Sequence, residues 1–72
     1  MQKYKVYFKE RKMDPISFSI ECIGSRFQVK KQVKVREKTH QFNPQQNLET
    51  LLIMIKLKLE KELGKVDIKN ID

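Results

Sequence analysis

Seventy-two residues are enough for one domain and no more. The net charge is +7, from sixteen Lys/Arg against nine Asp/Glu. Cys22 is the only cysteine and His40 the only histidine, which excludes an internal disulfide and the usual Cys/His zinc site, and no run nears the ~18 apolar residues of a membrane span.

The charge is unevenly placed. Residues 1–40 hold eleven Lys/Arg against four acids, and residues 41–72 hold five against five, so the whole excess lies in the first half. Such asymmetry fits an anionic partner, and it equally fits a chain that lysine keeps soluble. A lone cysteine suits a reducing compartment, and Met1-Gln2-Lys3-Tyr4-Lys5 lacks the apolar region of a secretory signal. The expected location is the cytoplasm.

The first half alternates with period two, the signal of a strand exposed on one face. Tyr4, Val6 and Phe8 share one parity, with Lys3, Lys5, Tyr7 and Lys9 between them. Arg11-Lys12-Met13-Asp14-Pro15 reads as a loop, because proline disfavours regular structure at the residue before it. Ile16, Phe18, Ile20 and Cys22 then alternate with Ser17, Ser19, Glu21 and Ile23.

Gly24-Ser25 fits a two-residue hairpin loop of type II′, with glycine at the first central position. That turn sets a register. Ile23 falls opposite Arg26, Cys22 opposite Phe27, Ile20 opposite Val29 and Ile16 opposite Val33. Phe18 opposite Lys31 is the one mismatch, and the third strand is read with or without a bulge near Lys30-Lys31. The third strand is expected to run to about Lys38, with Phe27, Val29, Val33 and Val35 facing inward.

The period then changes. Asn43-Pro44-Gln45-Gln46 reads as a helix start: Asn43 as cap, Pro44 in the first helical position, Gln46 three residues past the cap. Gly64 after Leu63 reads as the stop. Leu48, Leu51, Leu52, Ile55, Leu59 and Leu63 form one stripe at helical spacing. Residues 51–59 also alternate as a strand would, but the cap signals and the Leu, Lys, Glu and Gln content favour helix. In the tail, Val66 and Ile68 alternate, so Lys65 to Asp72 is either a short edge strand or a frayed end.

The expected fold is α+β and a single domain over residues 1–72: a three-stranded antiparallel meander packed on one long C-terminal helix (βββα), with a possible short C-terminal strand. Its core would hold Tyr4, Val6, Phe8, Ile16, Phe18, Ile20, Cys22, Phe27, Val29, Val33, Val35 and the helix stripe. Small domains bury little of their surface, so further burial by association is expected to help.

Two surfaces stand out. The outer face of the sheet would show Lys3, Lys5, Tyr7, Lys9 and Arg11 on the first strand. The third would show Gln28, Lys30, Gln32, Lys34, Arg36 and Lys38. Ser17, Ser19 and Glu21 would lie between these rows. Such a face can be laid in a nucleic-acid groove, with Lys and Arg on phosphates. A wet sheet face must also simply be polar, and edge lysines deter aggregation. The second surface is the back of the helix, where Ile53, Met54 and Leu57 fall outside the main stripe. Apolar residues there point to a homodimer or other homo-oligomer, unless Val66, Ile68 and Ile71 of the tail fold over them.

No residues form a catalytic, cofactor-binding or metal-binding constellation. Ser17 and Ser19 have no base and orienting acid beside them, and the two glycines make no phosphate loop. Cys22 alternates with core positions and reads as a buried, inert small hydrophobe. The order strand, strand, strand, helix, with Phe42 immediately before Asn43, is similar in layout to the arm-type DNA-binding domains of phage and transposon integrases. That resemblance implies DNA binding by a stand-alone module. The expected function is a nonenzymatic interaction module that self-associates through the helix, with a nucleic-acid-binding module as the alternative. Neither a membrane nor a small-molecule substrate is indicated.

Overall fold

A computed structural model describes residues 1–72. The elements in order are β1 (Gln2–Phe8), β2 (Ile16–Ile23), β3 (Arg26–Lys31), β4 (Val33–Val35), β5 (Lys38–His40), α1 (Leu48–Leu63) and β6 (Val66–Asn70). The main sheet is antiparallel with four strands in the order β3-β2-β1-β6, and β4 and β5 form a separate two-stranded ribbon. The fold is α+β, with the meander and the helix as expected and a C-terminal strand completing the sheet.

The β2–β3 hairpin has the expected register from Ile23↔Arg26 to Ile20↔Val29, after which it shifts so that Ser19 faces Lys31. Gly24 has φ 63° and Ser25 keeps φ negative, the pattern of a type II′ turn. The shift is a bulge at Lys30, and it removes the mismatch between Phe18 and Lys31. One extra residue moves Lys31 to the solvent face, where its N–H donates to Ser19 Oγ at 3.2 Å.

The third strand does not continue to Lys38. It ends at Lys31, and Val33 to His40 form the β4–β5 ribbon, with Val33 opposite His40 and Val35 opposite Lys38. Ile16, expected opposite Val33, has no partner on β3, because the β2–β3 ladder ends at Ser19↔Lys31; its one cross-strand partner is Val6 of β1. The ribbon turns at Arg36 and Glu37, whose φ values are 51° and 68°. Two positive φ values mark a type I′ turn, which usually takes Asn or Gly. Val33 and Val35 still reach the core, with His40 buried beside them.

The helix also starts later than expected. Asn47, not Asn43, is the cap: its side-chain oxygen accepts from the N–H of Glu49 at 2.8 Å and of Thr50 at 3.2 Å. Gln45, two residues before it, is held by the sheet instead. Phe27 and Gln45 exchange two backbone hydrogen bonds, of 2.7 and 2.9 Å, across the free edge of β3. Pairing with a strand edge satisfies those groups better than a first helical turn with open N–H groups. We expect Asn47→Ala to cost about 0.5–2 kcal/mol and Asn43→Ala next to nothing, measured by urea unfolding.

Eleven apolar residues form the core: Tyr4, Val6, Phe18, Ile20, Val33, Val35, Leu51, Ile55, Leu59, Leu63 and Val66. Tyr4 stacks on Phe18 with ring centroids 5.3 Å apart. Leu48 and Leu52, also of the helix stripe, are half-buried beside them. Cys22 is exposed, contrary to expectation, and so is Ile23. Both sit at the distal end of the β2–β3 hairpin, among its exposed turn residues.

Candidate interaction surfaces

The helix lies on one face of the main sheet and leaves the other face open. Cross-strand partners share a face, so the open face can be assembled row by row. One row runs Lys31, Ser19, Lys3 across β3, β2 and β1; a second runs Ser17, Lys5, Lys69; a third pairs Tyr7 with Asp67. Glu21 and Gln28 form the row towards the hairpin tip. Lys30 sits at the bulge, its Nζ 3.8 Å from Glu21. Lys69 Nζ is 3.9 Å from Asp67 and 5.6 Å from the centre of the Tyr7 ring. Lys3, Lys5 and Lys31 have no ion-pair partner. Lys9 continues the β1 parity one residue past the strand, where its N–H bonds Lys65 O at 3.0 Å.

The remaining cations expected on this face are elsewhere. Arg11 turns to the end of the helix, where Nε donates to Leu63 O at 3.3 Å. A guanidinium suits the negative end of the helix dipole. Lys34, Arg36 and Lys38 belong to the ribbon, not to the main sheet. Lys38 Nζ is 2.8 Å from Glu62 Oε1, and His40 Nε2 is 3.6 Å from Glu62 Oε2. The Lys38 hydrogen bond holds the Glu62 carboxyl below the usual carboxylate range, and the nearby charges of Lys38 and Lys58 add to it against some desolvation. The two expected basic rows are thus one compact patch around Lys3, Lys5 and Lys31, plus a separate ribbon pinned to the helix.

On the back of the helix, Ile53 and Leu57 are 57% and 61% exposed. They lie one turn apart, on the side away from Leu51, Ile55 and Leu59. Met54 is half-buried, and with Leu57 and Phe42 it lines an open groove of about 510 Å³ whose rim carries Lys58 and Lys61. The tail does not cover this strip. Val66–Asn70 pairs with β1 instead, and Ile71 donates its N–H to Lys3 O at 2.9 Å. On the other flank of the helix, Leu52, Ile53 and Lys56 face Asp67 and Ile68 of β6 across a narrower groove of about 170 Å³.

No three His, Cys, Asp or Glu side chains come together in a way that could hold a metal ion. No helix is long and apolar enough to cross a membrane. The expected cap at Asn43 behind Phe42, on which the likeness to integrase arm-type domains partly rested, is not where the helix begins. In comparisons with protein-family models, curated proteins and solved structures, nothing matches the chain.

Proposed function

We propose that the protein is a nonenzymatic interaction module of the cytoplasm that associates with its own kind through the exposed flank of α1. One observation carries this reading. Ile53 and Leu57 remain open because the tail, which was the available cover, is built into the sheet as β6. A chain with 13 of 72 residues buried gains from covering such a strip. The single exposed thiol, with no partner, suits a reducing compartment.

Sedimentation equilibrium tests it. Leu57→Glu is expected to weaken self-association at least about tenfold, since burying a leucine is worth roughly 1.5–3 kcal/mol and an unpaired carboxylate resists burial. The same change, at an exposed site, should shift monomer stability by no more than about 0.5 kcal/mol. A wild-type chain that stays monomeric up to its solubility limit would end the reading.

A second reading has its own support. Lys3 and Lys5 on β1 and Lys31 on β3 form an unpaired cationic patch on the sheet face away from the helix, with the buried Ser19 of β2 between them and strands about 4.8 Å apart. Three phosphate contacts imply a log–log salt slope of about −2.7 on duplex DNA. Changing all three lysines to Gln should remove binding and slope together. Lys34→Gln, on the ribbon, should leave both nearly unchanged.

A further inference from the structure

We infer that the partner is a second copy docked on the free edge of β6, strand to strand and antiparallel, with Ile68 opposite Ile68 across a two-fold axis. This inference deepens the self-association proposed above and rests on it. The backbone sets the first condition. Lys9 bonds Lys65 and Ile71 bonds Lys3, so the alternation of an antiparallel ladder turns residues 65, 67, 69 and 71 toward β1. Val66, Ile68 and Asn70 therefore aim their N–H and C=O groups away from the sheet. The opposite edge of the sheet is different. There β3 is occupied by Gln45, which takes both backbone groups of Phe27.

The strand is also its own complement. In the sequence Val66-Asp67-Ile68-Lys69-Asn70, antiparallel pairing about Ile68 sets each outward-bonding residue opposite another: Val66 with Asn70, Ile68 with Ile68. The intervening pairs are then Asp67 with Lys69, twice, both on the solvent face. A slip by one residue would oppose an outward-bonding residue to an inward-bonding one and lose the ladder. A slip by two would lose both Asp67–Lys69 pairs and set either Lys69 against Lys69 or Asp67 against Asp67.

The side chains set the third condition. Ile68 lies on the helix side of the sheet, half-buried beside Leu52 and Ile53. The second copy's Ile68 would enter that groove and bring its Ile53 against this one, covering apolar surface that is open in the monomer. Nothing in β6 guards the edge with a proline or a bulge. Glu60 Oε2 accepts the Val66 N–H at 3.2 Å, which leaves Ile68 and Asn70 as the free donors of the edge. The product is a continuous eight-stranded sheet with both helices on one side.

Charge reversal reads the register directly. Asp67→Lys sets two lysines against each other at both symmetric positions, and Lys69→Asp sets two aspartates. Each variant should dimerise about tenfold or more weakly than the wild type, measured by sedimentation equilibrium. An equimolar mixture should recover association as a heterodimer, and so should the double variant Asp67→Lys/Lys69→Asp with itself. Both sites face solvent, so circular dichroism should be unchanged. Amide exchange at Ile68 and Asn70 should slow as protein concentration rises. If the mixture associates no better than its components, the edge pairing is wrong. If the charge variants stay dimeric while Leu57→Glu does not, the helix flank alone makes the contact and only the edge inference falls. A wild-type monomer overturns both.

Discussion

Phe18→Ala is expected to cost about 3–5 kcal/mol, the usual loss when a buried aromatic is truncated. Stability scales at about 0.05–0.15 kcal/mol per residue, which is roughly 4–11 kcal/mol for a chain of 72 residues. The substitution therefore removes a large share of the total. Phe18 is 1% exposed and lies in the second strand of the sheet, where its ring stacks on Tyr4 of the neighbouring strand. Its loss opens a cavity and takes the stacking surface of Tyr4 with it. Ile23→Ala, in the same strand but 54% exposed, should cost no more than about 0.5 kcal/mol. Urea unfolding with a common slope measures both. A loss below about 1 kcal/mol at Phe18 would mean that the core is not centred where the structure puts it.

The contrast between Phe18 and Ile23 also shows what alternation can and cannot say. Period two assigns residues to faces, and it placed Tyr4, Val6, Phe18 and Ile20 inward correctly. It says nothing of how far the covering layer reaches, so Cys22 was expected in the core and is exposed. The mismatch of Phe18 with Lys31 was informative because a sheet tolerates such a clash poorly. A bulge was the cheapest relief, and the structure has it at Lys30.

The β4–β5 ribbon was hidden for a chemical reason. Its turn is made by Arg36 and Glu37, which are not turn formers, so the stretch Val33 to His40 read as the end of a longer strand. That one error moved Lys34, Arg36 and Lys38 onto a face they do not share with Lys3 and Lys5. The helix start was hidden by competition. Asn43 and Asn47 are both acceptable caps, and the edge of β3, a non-local partner, decides between them. The exposed helix residues, by contrast, were legible. The 3.6 period fixes Ile53 and Leu57 opposite the buried stripe whatever the neighbours do.

Gly64→Ala is the second large effect, expected at about 1–3 kcal/mol from the backbone alone. Gly64 ends the helix at φ 77°, ψ −167°, a region open to glycine and closed to side chains. A Cβ there would also lie 2.9 Å from Glu10 Oε2. Glu10 is not free to leave, because its other carboxylate oxygen accepts the Lys65 N–H at 3.2 Å. Glu10→Ala in the Gly64→Ala background should therefore recover only the steric part, and the two changes should be non-additive in a double-mutant cycle. The consequence reaches the interaction surface. This residue lets the chain leave the helix and enter β6 in two steps, with Val66 already paired to Phe8. If Gly64→Ala frays that junction, β6 loses its fixed position beside Ile53, and self-association should fall more than the loss of global stability explains. A core variant matched to it by urea unfolding, chosen between the mild Ile55→Val and the harsher Leu59→Ala, gives the comparison: at concentrations where both remain folded, only the Gly64 change should weaken the dimer.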